Sequence, residues 1–138
     1  MLKLMKNTVF LMMLGFLAAN TGRDITNGCD LPDSEITGYL HLTADGSVLY
    51  KTPEPMSGFQ FTVDGVTITG VSGGVAEDVG FIISNSTTEI LGFSLTGATI
   101  EGCGTLVLAE FFEGEQPTGL SGIVIADDGG EELDFSYY

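Results

Sequence analysis

The sequence predicts an all-β fold, a jelly-roll-type sandwich of about nine strands. Short runs alternate apolar and polar residues, and most runs are closed by glycine or by an Asp-Gly pair. No stretch between Gly28 and the C-terminus carries the apolar spacing of a long helix. Turn signals recur every 8 to 12 residues or so, the rhythm of sandwich strands. Gly58-Phe59-Gln60-Phe61-Thr62-Val63-Asp64-Gly65 is the clearest run. A period of two puts Phe59, Phe61 and Val63 on one side of a pleated strand and Gln60, Thr62 and Asp64 on the other.

In chain order, Ile36–Leu42 alternates, and Asp45-Gly46 turns it into Ser47–Tyr50 as a hairpin. Pro53 and Pro55 follow, and proline has no amide to give a ladder, so an edge or crossover is expected there before the Gly58 strand. Asp64-Gly65 turns into Val66–Thr69. Val75–Val79, between glycines, has room for one helical turn, and Phe81–Ser84 and Glu89–Leu95 form a strand pair. Thr105–Phe111 is apolar on both faces and reads as central. Ser121–Ile125 and Leu133–Tyr137 complete the set. The expected core is Phe59, Phe61, Val63, Phe93, Leu106, Leu108, Val124 and Phe135.

Three segments are expected: residues 1–19, residues 20–35 as a polar lead-in, and a sandwich over residues 36–138. Lys3 and Lys6, then the apolar run Thr8–Ala19, make a secretory signal pattern. Leu17 stands where cleavage after Ala19 would prefer a small residue, so a retained anchor or buried N-terminal strand is the competing reading. The run is short for a bilayer span, and no membrane span is expected in the mature chain. A secreted or cell-surface location follows, with a virion surface as the alternative.

Cys29 and Cys103, the only cysteines, lack the close spacing of a metal knuckle. In an exported chain they are expected to pair. Closing so long a loop contributes on the order of 4 kcal/mol through chain entropy.

Nineteen acidic residues stand against four basic ones, for a formal net charge of −15. Outside the N-terminal segment only Arg23 and Lys51 are basic. Such a surface repels phosphate backbones and anionic headgroups, which excludes nucleic acid as a partner.

Several pieces, in order, resemble the cohesin and bacterial carbohydrate-binding-domain superfamily of jelly-roll sandwiches. They are Gly46-Ser47-Val48, the Gly58–Asp64 strand, Val66–Val71, Gly80-Phe81, Ile90–Ser94 and Gly104-Thr105-Leu106. Gly28-Cys29-Asp30-Leu31-Pro32 and Gly102-Cys103-Gly104 are similar to segments of short cohesin-like proteins of marine bacteria and their phages. The resemblance implies a non-catalytic binding or assembly domain. The chain departs from scaffold cohesins in having no repeats and no recognisable sorting motif, and no dockerin-interface residue carries over.

Candidate chemistry is sparse. Gly70-Val71-Ser72-Gly73-Gly74 matches the G-x-S-x-G elbow in letters, but that motif needs a parallel strand and a later histidine. The one histidine, His41, comes earlier and is expected to be solvated on a polar strand face. Glu110 interrupts an apolar strand, where burial would raise its pKa and suit it to acid catalysis. Asp127, Asp128 and Glu131 cluster at a turn that Asp64 or Asp45 could complete as a calcium site, although the EF-hand spacing is absent. With no tryptophan, a sugar platform would fall to exposed Tyr39, Tyr50 and Tyr137. Asn85-Ser86-Thr87 is a glycosylation acceptor pattern. Two function classes therefore stand: a non-enzymatic recognition or attachment module with a protein partner, and a module for a surface glycan, calcium-assisted or without cofactor.

Overall fold

The computed structural model describes residues 25–138 as two packed β-sheets. The signal-like segment 1–19 and the start of the lead-in lie outside the described residues. The strands are β1 (Gly38–Leu42), β2 (Ser47–Met56), β3 (Gly58–Asp64), β4 (Ile68–Ser72), β5 (Ile82–Asn85), β6 (Glu89–Phe93), β7 (Ile100–Phe111), β8 (Gly119–Ala126), β9 (Glu132–Leu133) and β10 (Phe135–Tyr137). One short helix, α1 (Gly74–Asp78), lies between β4 and β5. The first sheet runs β10-β1-β2-β7-β4 and the second β9-β8-β3-β6-β5. Every pair is antiparallel except β10 on β1, which is parallel.

The all-β sandwich holds, with ten strands where the sequence suggests about nine. The difference is at the C-terminus. Leu133 pairs with Ile125 in the second sheet, whereas Phe135 pairs with Gly38 in the first. Asp134 sits at the switch, its carbonyl accepting from Gly38 N and its carboxylate from Thr37 Oγ1 at 2.7 Å. The expected single strand is thus divided between the two sheets.

Pro53 and Pro55 mark the crossover as expected, though inside β2. The β2–β7 ladder is interrupted between Thr52 and Met56, so neither proline is asked for an amide in it. Only Ser57 separates β2 from β3, and there the chain passes from the first sheet to the second. The strand expected over Val66–Thr69 lies two residues later, at Ile68–Ser72. Thr67 N is instead tied to the Glu115 carboxylate at 2.5 Å.

The core lies between the sheets, where Phe59, Phe61, Val63, Tyr50, Leu106, Ile90 and Ile125 are buried. Phe59 stacks on both Phe61 and Phe81, with ring centroids 5.9 and 6.1 Å apart. Burial of one such phenylalanine contributes about 1.5–3 kcal/mol. Two expected core residues face solvent: Leu108 is 43% and Val124 46% exposed. For Leu108 the cause is a bulge. Val48 pairs with Val107 but Leu49 pairs with Thr105, so Leu106 and Val107 both turn inward and the alternation beyond them reverses. For Val124 the cause is register, since Phe59 pairs with Ile125 and Val124 falls on the other side. Phe93 and Phe135 are half-buried, Phe93 opposite Gly58 and Phe135 packed against the core.

Candidate docking face

The two sheets differ in what covers their outer sides. On the first sheet, Leu49 alternates away from the inward-facing Val48 and Tyr50, yet it is only 1% exposed. The lead-in is held against this sheet by a 3-10 turn (Gly28–Asp30), which Asn27 caps by accepting from Cys29 N. Cys29 is bonded to Cys103 of β7, as the sequence predicts. Lys51 Nζ donates to the carbonyls of Cys29 and Leu31 at 3.2 and 3.0 Å and pairs with Asp33, whose carboxyl it holds below the usual aspartate range. A methyl built on Gly28 would lie 2.3 Å from the Gly104 carbonyl oxygen, so only glycine lets the strap approach β7 this closely.

The C-terminus covers the next part of the same sheet. His41 is 8% exposed rather than solvated. Its Nδ1 lies 2.9 Å from the Tyr138 carbonyl oxygen, and its ring stacks on Tyr137 at 5.8 Å. The parallel pairing of β10 on β1 brings those tyrosines there, a contact between chain ends that strand patterning does not reveal.

The outer side of the second sheet has no such cover among the described residues. Register aligns Ile82, Phe93, Gly58 and Ala126 in one row across β5, β6, β3 and β8. A second row holds Ser84, Leu91, Gln60 and Val124. Ile82, Leu91 and Val124 are 43%, 38% and 46% exposed, and Phe93 is half-buried. Four strands at ~4.8 Å spacing make this apolar strip about 14 Å wide. Glu89 and Glu132 border it. No sequence signal names this site, because its residues come from four separate strands.

The other candidates do not assemble into one site. Tyr50 belongs to the core at 1% exposure, donating its hydroxyl to the Glu101 carbonyl at 2.9 Å, and burial raises its pKa. Tyr137 packs against the core, its hydroxyl accepting from Leu42 N at 3.2 Å, and Tyr39 lies edge-on to Tyr138. No exposed row of Tyr39, Tyr50 and Tyr137 exists. Asp127 Oδ1 accepts from Gly129 N and Glu131 N, both at 2.9 Å, which closes the turn internally. Among the described residues no three His, Cys, Asp or Glu side chains converge as metal ligands, so Asp128 and Glu131 join no such set.

Asp45 accepts from Thr43 Oγ1 and from Ser47 N, which lowers its pKa, and Asp64 accepts from Ser121 Oγ at 3.0 Å. Glu110 is exposed, not buried. Ser72 ends an antiparallel edge strand, and His41 is held by the C-terminal residues, so no nucleophile–base pair forms. Among the described residues no helix is long and apolar enough to cross a membrane.

No protein-family model matches the chain, and no curated protein matches it. Solved structures do. A non-cellulosomal cohesin from the archaeon Archaeoglobus fulgidus superposes with a TM-score of 0.50 at 15% identity, covering 73% of this chain and 84% of that one. The structure of a type I cohesin–dockerin complex from Clostridium thermocellum, Coh-OlpC–Doc435, matches with a TM-score of 0.43 at 8% identity, covering 74% and 88%. The fold is cohesin-like.

Proposed function

We propose that this chain is a non-catalytic recognition and assembly module, exported to a cell or virion surface, that docks a protein partner on the outer side of its second sheet. The observation that carries this reading is the apolar strip of Ile82, Leu91, Phe93 and Val124 on a sheet face that no other described residue covers. The other sheet spends its outer side on the disulfide-bonded strap and on Tyr138, which packs edge-on to Tyr39 and His41. The cohesin-like fold fits an assembly role, and the signal-like start and the disulfide fit export.

Charge narrows the partner. An apolar centre bordered by Glu89 and Glu132, on a chain of net charge −15, favours an apolar segment flanked by Lys or Arg. Salt weakens such an attachment. A glycan ligand has less support, because Tyr50, one of the three platform tyrosines, is in the core.

The test is capture from the native source with the wild-type chain and with the double variant Leu91→Asp/Val124→Asp, beside a glycan array. A protein partner retained by the wild type after calcium chelation, and lost by the variant, is the expected result. Equal capture by both chains, or one glycan class and no protein partner, overturns the reading.

A further inference from the structure

The sandwich has four sheet edges among the described residues, β10, β4, β9 and β5, and an open edge invites another strand. Three are blunted. β9 is two residues long and lies between Glu131 and Asp134. β10 is three residues long and follows directly on Asp134. β4 is irregular between Ile68 and Gly70. β5 has none of these protections. It pairs with β6 in unbroken register, contains no proline, and lies in a run without charge from Val79 to Thr88. In a chain with 19 acids, β5 thus offers an edge without charge.

The hairpin fixes which backbone groups point outward. Ser86 N donates to the Glu89 carbonyl at 2.9 Å, so Ser86 and Glu89 form a hydrogen-bonded pair. Antiparallel alternation then turns the backbone groups of Ser84 and Ile82 toward β6, and those of Ile83 and Asn85 outward.

We propose that β5 is a self-association edge, to which a second copy of this chain adds its own β5 antiparallel about a two-fold axis at Ser84. In that register Ile83 of each copy faces Asn85 of the other, and their outward amides and carbonyls form four interchain hydrogen bonds. The two Ser84 side chains meet directly, small and uncharged, on the outer side of the joined sheet. Two copies repel through their acidic surfaces, and an edge without charge adds no repulsion of its own where they meet. Pairing joins the two apolar strips into one surface, because Ile82 and Leu91 lie beside the axis. The contact is small, so the dimer is weak, and salt strengthens it by screening the repulsion. This edge is independent of the docking face, whose charge-bordered contact responds to salt in the opposite sense.

The test is sedimentation velocity of the full chain from about 10 µM to about 1 mM, at low and high salt, a range that brackets weak association. Ser84→Asp and Ser84→Lys each put like charges opposite one another at the axis, and because the position is exposed each variant is expected to keep the monomer fold by circular dichroism. Each alone is expected to associate at least about tenfold more weakly, and an equimolar mixture to recover the dimer as a heterodimer. A wild type that stays monomeric throughout overturns the proposal. So does a dimer unaffected by either substitution, or one that weakens as salt rises. Loss in each variant without recovery on mixing places the contact elsewhere and overturns it too.

Discussion

Lys51 and Cys103 face each other across the β2–β7 ladder, and both hold the same short segment of the lead-in. Cys103 holds it covalently through Cys29, and Lys51 holds it through the carbonyls of Cys29 and Leu31 and the Asp33 carboxylate. Lys51 is the only Lys or Arg among the described residues, so the sandwich's one strong cation is spent on this attachment. Leu31, 2% exposed, closes the contact with apolar burial.

These two clasps are expected to be non-additive. Cys29→Ser/Cys103→Ser should cost on the order of 4 kcal/mol in denaturant unfolding. Lys51→Met, which leaves two carbonyls without their donor, should cost about 2 kcal/mol. In the triple variant the loss should fall short of the sum, because a strap already released offers Lys51 no fixed acceptors. Strict additivity would show that the strap stays in place without its disulfide. Asp33→Asn should be close to neutral, since that carboxylate is solvent-exposed.

A second expectation concerns packing inside the second sheet. Gly92 faces Phe59 across the β3–β6 pair, and a methyl built on it would lie 2.2 Å from Phe59 Cζ. The ring cannot retreat, because it is 2% exposed and stacked on Phe61 and Phe81. Gly92→Ala should therefore destabilise by about 1–3 kcal/mol, the usual cost of overpacking. Phe59→Leu in the same chain should recover part of that loss by vacating the contact. An unchanged denaturation midpoint for Gly92→Ala would refute the close packing of this pair.

What was legible in the sequence follows the range of the interaction. Phe59, Phe61 and Val63 declare their common face by alternation alone, and they are buried together. Asp45-Gly46 announces its hairpin, with Gly46 at a φ of 96° that glycine accepts without strain. The disulfide is legible because a signal-like start implies an oxidising compartment, and two cysteines then have one way to pair. The exposure of Leu108 is not legible, because the bulge at Leu106–Val107 depends on the opposite strand and carries no local mark.

The burial of Tyr50 is not legible for a related reason, since a tyrosine suits either a surface or a core with a hydrogen-bond partner. That partner, the Glu101 carbonyl, is 51 positions away. The docking face was hidden more completely. Leu91, Gln60 and Val124 become neighbours only once β6, β3 and β8 are ordered and registered.

Tyr50 supplies the last expectation, one of pH. Burial raises the folded-state pKa of its phenol above the ordinary tyrosine value. In the unfolded chain the phenol ionises near pH 10, whereas the folded chain retains the proton to higher pH. The unfolded state thus binds fewer protons in that window, and stability must fall as pH rises through and beyond about 10. Tyr50→Phe keeps the ring in the core but removes the hydroxyl that donates to Glu101, which should cost about 1 kcal/mol at neutral pH. The same substitution removes the titrating group, so the alkaline fall in stability should flatten relative to the wild type. Unfolding free energies from denaturant titrations at neutral pH and at pH values around 10 to 11 separate the two effects. Parallel alkaline limbs for the two chains would mean that another group carries the pH dependence, and would count against the buried placement of Tyr50.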